Sequence, residues 1–153
     1  AHPYLRVGGA PADRLRVRVD ADAAYRLDAG HIPREEFPVA GTAWDLRAPR
    51  AVDGIPGHAS FRRDAPGRAR HLVLDDDGRG VELRADAVFR WTQLYLADGF
   101  PADDGPRRAI AIEPMTAPPN ALRSGAGIRM LEPGETWRPG FVVRLVQGRS
   151  RER

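Results

Sequence analysis

The high content of glycine and proline limits more than any other feature how this chain can fold. The 153 residues include 16 glycines and 14 prolines, which are scattered along the chain rather than repeated at a fixed period. Glycine and proline both interrupt regular helices and favour tight turns. The chain is therefore expected to form many short strands joined by turns, and its length is suited to a single domain.

Five segments have the alternation or the apolar content that is typical of strands. They are LRVRVD, RHLVLDDDGRGVELRAD, FRWTQLYLAD, RAIAIE and WRPGFVVRLVQ. In the second, Asp75–Gly78 has the composition of a tight turn between two strands. In the third, Phe89, Trp91, Gln93 and Tyr95 are expected on one face because strand side chains alternate.

The segments between these strands are predicted to be connectors, and no amphipathic helix or internal repeat is found. The connectors comprise residues 30–38, 48–66 and 99–106. The sequence thus predicts an all-β, antiparallel β-sandwich over residues 1–145. The basic residues 146–153 are expected to form a flexible tail, since a frayed terminus is commoner than a phosphate-binding arm.

Composition narrows the classes of partner and of chemistry. All 24 basic residues are arginine, which explains a pI near 10.1 at a formal charge of only +3. Acidic residues are interleaved with the arginines, so nucleic acid is not an expected partner. The chain has no cysteine and no apolar run that approaches a membrane span, and a cytoplasmic location is expected.

Several familiar site patterns are missing. The Asp75–Gly78 stretch lacks the ligand spacing of a calcium loop, and the four histidines are too dispersed to suggest a metal site. No glycine-rich phosphate loop and no nucleophile elbow is found. Neither a metal nor a cofactor is therefore expected.

Two residues remain as candidates for chemistry. Glu113 follows the apolar segment Ile110–Ile112 and precedes Pro114, so we expect a carboxylate held rigidly at a strand end. His2 precedes Pro3, which restrains its backbone. A histidine and a glutamate make a natural acid–base pair near neutral pH, although a structural ion pair would give the same pattern.

The strings HPYL, GTAWDLRAPR, AIEPMTAPPNALRSG and LEPGETW resemble the aldose 1-epimerase (galactose mutarotase) family, in that order. The resemblance spans essentially the whole chain but corresponds to the C-terminal half of that family's domain. It implies part of a galactose mutarotase-like supersandwich that interconverts the α and β anomers of a hexose such as galactose or glucose. No cofactor is implied.

The resemblance also implies roles for individual residues. Glu113 corresponds to the catalytic base and His2 to the general acid, while Tyr4, Gln93 and Trp91 are candidates to line the sugar site. Core packing is the commoner fate of an aromatic such as Trp91. By analogy with carboxyl pairs that flank a sugar, the acid and the base are expected roughly 5–9 Å apart.

One position departs from the family pattern. His58, in His58–Phe61, stands where the family has a sugar-binding aspartate, so the sugar contact made there is changed.

The missing N-terminal half leaves a further alternative open, in which the chain is a non-catalytic carbohydrate-binding half-domain or a truncated segment of an epimerase. The all-arginine composition leaves another, a relative that holds a phosphosugar with arginines. We also expect the chain either to associate through the strand edge that half a sandwich exposes, with itself or with a missing N-terminal half, or to be a segment of a longer protein.

Overall fold

The computed structural model describes residues 1–103 and 105–148, which form two antiparallel sheets. The strands are β1 (Tyr4–Leu5), β2 (Arg16–Arg18), β3 (Ala23–Leu27), β4 (Pro33–Pro38), β5 (Arg50–Ala51), β6 (His58–Arg62), β7 (Ala69–Leu74), β8 (Gly80–Ala85), β9 (Trp91–Phe100), β10 (Arg107–Met115) and β11 (Phe141–Val146). One helical turn, α1 (Ala121–Ser124), and two 3-10 turns, at Ala12–Arg14 and Val52–Gly54, complete the elements.

The two sheets pack face to face around an apolar core. Sheet A has the order β1-β10-β9-β6-β3-β4, and sheet B has the order β11-β8-β7-β2-β5. Ile112 and Leu94 of sheet A and Val17, Val73 and Val81 of sheet B belong to one buried cluster. Sheet A therefore buries one face in the sandwich and turns the other outward. The predicted antiparallel β-sandwich is confirmed.

The predicted hairpin is also confirmed. Strands β7 and β8 pair in antiparallel register from Ala69 opposite Ala85 to Leu74 opposite Gly80. In the turn between them, Asp75 Oδ1 accepts hydrogen bonds from the backbone N–H groups of Asp77 and Arg79, both at 2.9 Å. This is the local bonding by which aspartate favours turns.

Two of the predicted connectors are wrong, because they contain strands β4, β5 and β6, and strands β1 and β3 were also not foreseen. Strand β4 lies within residues 30–38; it is the edge strand of sheet A, where its terminal prolines cost no ladder hydrogen bonds. Strand β6 lies within residues 48–66, where Ala59 and Phe61 are buried between less apolar neighbours. Strand β3 was missed because its small residues give no clear alternation.

Phe89 is not on the face predicted for it. It precedes β9, which begins at Trp91, and its ring contacts Phe141 with the centroids 6.3 Å apart. There it packs against a small second cluster formed by Ala69, Leu83 and Ala85. The proposed domain boundary at residue 145 stays a prediction, and residues 149–153 of the predicted tail lie outside the described residues.

Candidate functional site

A row of polar and charged residues crosses the outward face of sheet A. The register sets these residues opposite one another on successive strands: Glu113, Gln93, Ser60, Tyr25 and Glu36. Side chains of directly paired residues project on the same side of a sheet. Ile112, the neighbour of Glu113 along β10, is fully buried in the sandwich. The polar row therefore faces away from the core.

Glu113 and His2 meet at one end of this row. The distance from His2 Nε2 to Glu113 Oε1 is 3.3 Å, and the two side chains are 49% and 15% exposed. Strand β1 pairs with β10, with Tyr4 opposite Ala111, which places the start of the chain beside the carboxylate. The sheet thus brings together two residues that are more than a hundred positions apart in sequence, on the same face.

Burial raises the pKa of the Glu113 carboxyl group above its ordinary value. The interaction with His2 acts in the opposite direction and lowers this pKa, but less strongly. Desolvation disfavours the ionised carboxylate, so this group is a stronger proton acceptor than an exposed glutamate. Such a carboxylate, in contact with an imidazole, can exchange protons with a bound hydroxyl group near neutral pH.

Two tyrosines hold the ring of His2 in place. The Tyr4 ring stacks on it, with centroids 4.9 Å apart and planes inclined by 29°. The Tyr95 ring meets it edge-on at 6.3 Å. Tyr4 is 39% exposed, so it adds an accessible aromatic surface next to His2 and Glu113. Aromatic faces of this kind suit the apolar side of a sugar ring.

His58 lies on the same outward face, across Tyr95 from His2. It is opposite Tyr95 in the ladder, and their ring centroids are 5.4 Å apart. His31, in the turn between β3 and β4, approaches the other side of the ring at 4.2 Å. Burial, together with the charge of His31, lowers the pKa of His58. Both effects favour the neutral form of the His58 imidazole.

Gln93 sits beside Glu113 but is largely shielded from solvent. It is 7% exposed, and the buried Ser60 hydroxyl donates a short hydrogen bond to Gln93 Oε1. Within the part of the chain that the structure describes, the amide nitrogen makes a long contact of 3.5 Å to the carbonyl oxygen of Leu94 and no shorter one. Ser60 therefore fixes which end of the amide is the donor, and leaves donor capacity on the amide nitrogen.

Trp91 is largely buried and exposes little of its ring to solvent. It is 9% exposed, and its Nε1 donates to the Tyr25 hydroxyl at 3.1 Å. Gly127 passes directly over its ring, so closely that a Cβ there would lie 2.7 Å from the indole. Its role as a sugar-lining residue stays a prediction.

The polar row ends at Glu36, which forms an ion pair with Arg62. Glu36 accepts two hydrogen bonds from Arg62, at 2.9 and 2.7 Å. These bonds to Arg62 lower the pKa of Glu36, and a further bond from Tyr25 acts in the same direction. Arg62 therefore keeps Glu36 ionised and hydrogen-bonded, whereas Glu113 contacts a histidine.

The structure corrects two details of the sequence analysis. Glu113 is not at a strand end, because β10 continues through Pro114 and Met115, which lie opposite Thr92 and Trp91. Pro114 is accommodated within this ladder. The separation of 3.3 Å between His2 and Glu113 is also shorter than the expected 5–9 Å, which rested on pairs placed on opposite sides of a sugar.

Four members of the face were not identified from the sequence: His31, Ser60, Tyr25 and Glu36. Three of them lie on β3, β4 and β6, which are among the strands that were missed, so their register with β9 could not be anticipated. His31 adopts a φ of 60°, in the left-handed region, which no sequence pattern indicated.

Within residues 1–103 and 105–148, no group of three or more metal-binding side chains is found. The same part of the chain contains no helix with the length and apolar character needed to cross a membrane. Two surface depressions, of about 610 and 440 Å³, are lined by other residues, none of which belongs to the polar row. The candidate site is thus identified by its side chains and not by the shape of a cavity.

Comparisons with known proteins find one curated relative and two solved structures of similar fold. The uncharacterised protein YihR of Escherichia coli (strain K12) is 23% identical over 142 residues, which are 93% of this chain and 44% of YihR. A GalM/aldose epimerase homologue from C. elegans superimposes with a TM-score of 0.58 at 18% identity, covering 74% of this chain and 40% of that one. An aldose 1-epimerase candidate of Escherichia coli K12 gives 0.62 at 14% identity, covering 93% and 46%.

The chain therefore spans less than half the length of these relatives. The two solved structures support the fold. The sequence profile described as "Aldose 1-epimerase" matches residues 1–144, nearly the whole chain and including both His2 and Glu113. On this match, the chain belongs to the aldose 1-epimerase family.

Proposed function

We propose that this chain carries the acid–base centre of an aldose 1-epimerase, an isomerase that interconverts the α and β anomers of a hexose such as galactose or glucose. The observation that carries the proposal is the contact between His2 and Glu113 on the outward face of sheet A. The raised pKa of Glu113 supports the assignment of this residue as the base.

The chemistry requires two proton transfers. Glu113 accepts the proton of the anomeric C1 hydroxyl while His2 donates a proton to the ring oxygen. The C1–O5 bond breaks, the C1–OH group becomes an aldehyde, and rotation about C1–C2 presents the other face of the carbonyl. Reclosure with the two roles reversed gives the other anomer. All atoms are conserved, so no cofactor is consumed.

The remaining residues of the face would hold the sugar. Tyr4 offers an accessible ring beside His2, and the Gln93 amide and the His58 imidazole offer hydrogen bonds to hydroxyl groups. Because His2 and Glu113 contact each other directly, a sugar must part them or bind across both. Trp91 would contribute only after the segment around Gly127 moves.

The proposal is tested by polarimetry of freshly dissolved α-glucose and α-galactose with the chain and with Glu113→Gln. The substitution is nearly isosteric and removes the base, so the catalysed rate should fall by roughly 10²–10⁴-fold. The matched control is Glu35→Gln on β4, which neutralises an exposed carboxylate paired with Arg26. An unchanged rate in Glu113→Gln, with Glu35→Gln equally active, would refute the role of Glu113.

A second candidate function is sugar binding without turnover. The observation that favours it is that His58, which the sequence analysis sets against the family's sugar-binding aspartate, offers an imidazole whose pKa is lowered by burial. Titration of tryptophan fluorescence with galactose and glucose separates the two proposals. Saturable quenching without any catalysed change in optical rotation would favour a carbohydrate-binding half-domain.

A further inference from the structure

A cluster of arginines lies on the outward face of sheet B, on the opposite side of the sandwich from Glu113. Its centre is Glu82 on β8, whose side chain is completely buried. The Nε atoms of Arg70, Arg84 and Arg144 all contact this carboxylate, Arg84 at 2.8 Å and the other two at shorter distances. We refer to these three residues as the arginine cluster.

The register of sheet B explains why the three side chains converge. Arg144 on β11 is opposite Glu82, and Arg84, two positions along β8, is opposite Arg70 on β7. The intervening residue, Leu83, is fully buried on the core side, so this set faces outward. Arg70 and Arg84 are like charges placed directly opposite each other, an arrangement that destabilises a sheet unless a counter-charge compensates.

One carboxylate compensates for only part of the charge. Burial alone would raise the pKa of Glu82, but hydrogen bonds from Arg70, Arg144 and Arg84 lower it to about 2. Glu82 therefore stays ionised and the four groups carry a formal net charge of +2. Arg18 adds a further cation beside them, since its Nη1 donates to the carbonyl oxygen of Arg70 at 2.8 Å.

The arginine cluster also has unused donors. Each contact with Glu82 is made through Nε, and the terminal nitrogens of the three guanidinium groups have no hydrogen-bond partner among the described residues. The side chains of Arg70, Arg84 and Arg144 are 51%, 38% and 53% exposed. Several donors therefore reach solvent from three strands, around a point that the buried carboxylate fixes.

We propose that the arginine cluster is a binding site for the phosphate group of a small molecule. Guanidinium groups match the oxygens of a phosphate with paired donors and stay charged at any physiological pH. A compact tetrahedral anion can accept from all three converging side chains. Glu82 holds these side chains in position beforehand, which reduces the entropy lost on binding. The proposal is independent of the proposed sugar chemistry, because the two sites lie on different sheets.

The test is a titration with inorganic phosphate at low ionic strength, followed through the Nε–H signals of arginine by NMR and through thermal stability. The signals of Arg70, Arg84 and Arg144 should shift together and saturate. Arg144→Gln should weaken phosphate binding about tenfold or more, since it removes one of three cations. The matched control is Arg68→Gln, which removes an arginine that pairs through Nε with a single carboxylate, Asp86, at 3.1 Å.

A second variant and two further ligands complete the test. If Arg144→Gln does not fold, Arg84→Lys keeps the charge but loses the paired donors, and it should still weaken binding severalfold. A phosphate monoester such as glycerol phosphate distinguishes a site for free phosphate from one for a phosphorylated metabolite, and binding of either supports the proposal. Equal responses of Arg144→Gln and Arg68→Gln, or equal effects of phosphate and chloride at matched ionic strength, would show that the cluster is structural and overturn the proposal.

Discussion

Protonation of His71 should destabilise the sandwich at a pH well above the range in which its carboxylates titrate. His71 is fully buried between the sheets, where its Nδ1 accepts from the backbone N–H of Asp20 and its Nε2 faces the Thr92 hydroxyl, each at 3.3 Å. Because Nδ1 is an acceptor, the neutral ring carries its proton on Nε2. A second proton on Nδ1 would meet the Asp20 N–H group.

The magnitude follows from the pKa of His71. Burial lowers this pKa from 6.5 to about 4, and the nearby charges of Arg18 and Arg63 act in the same direction against the attraction of Asp20. The pKa of this histidine is lower in the folded protein than in the unfolded chain. Its contribution to stability is therefore complete at a pH above the unfolded-chain pKa, and it is lost as the pH falls towards the folded-protein pKa. Between pH 7.5 and pH 5 the loss is about 2 kcal/mol, because each tenfold rise in proton concentration below the unfolded pKa costs about 1.36 kcal/mol.

The assay is urea unfolding at pH 7.5 and pH 5 of the wild-type chain and of His71→Asn. The absolute stability of the variant will be lower, so the readout is the change with pH, which should be smaller in the variant by about 2 kcal/mol. His58→Asn is the matched control because His58 is less buried than His71. Identical pH dependence in the wild type and in His71→Asn would refute the reasoning.

Three further predictions concern other parts of the molecule. At pH 7, Glu113→Gln should have a melting temperature equal to or higher than that of the wild type. The pKa of Glu113 is raised by folding, so its ionised carboxylate destabilises the fold as the pH rises. A clearly lower melting temperature would indicate a structural ion pair. Gly127→Ala should cost about 1–3 kcal/mol more than Gly134→Ala in urea unfolding, since both have positive φ but only Gly127 faces an indole at 2.7 Å; equal losses would contradict the clash. We predict that the chain self-associates through the edge strand β11, where Leu145 is 85% exposed, so Leu145→Lys should lower the molar mass in light scattering. An unchanged molar mass would exclude that edge.

The sequence predicted the fold class and the strands with strong patterns, but not every strand. The β7–β8 hairpin has alternating apolar residues and an aspartate-glycine turn, so local signals were sufficient. Strands β3, β4 and β6 were missed because their residues are small, charged or bounded by proline, and strands β1 and β5 because they have only two residues each. Such strands form because neighbouring strands satisfy their hydrogen bonds, and this is a property of the assembled sheet.

The same limit applies to the candidate site. Glu113 and His2 could be selected because their local contexts are unusual and because the motifs resemble a known family. Ser60 and Tyr25 could not, since they matter only through the register that aligns β10, β9, β6 and β3. The register also explains why Gln93 is shielded, because its neighbour across the ladder holds its amide oxygen.

The pKa directions distinguish Glu113 from the structural carboxylates of this chain. Among residues 1–103 and 105–148, five other carboxyl groups have clearly shifted pKa values, and each of these pKa values is lowered with the help of a hydrogen bond from an arginine: Asp28, Glu36, Asp45, Glu82 and Glu135. The pKa of Glu113 is raised instead, and its carboxylate contacts His2. A carboxylate kept for stability in a chain with 24 arginines would be expected to pair with one of them. The Glu113 side chain is only 15% exposed and has no arginine partner among the described residues. It therefore retains the basicity that proton transfer requires, and this argues for the catalytic hypothesis over the structural ion pair.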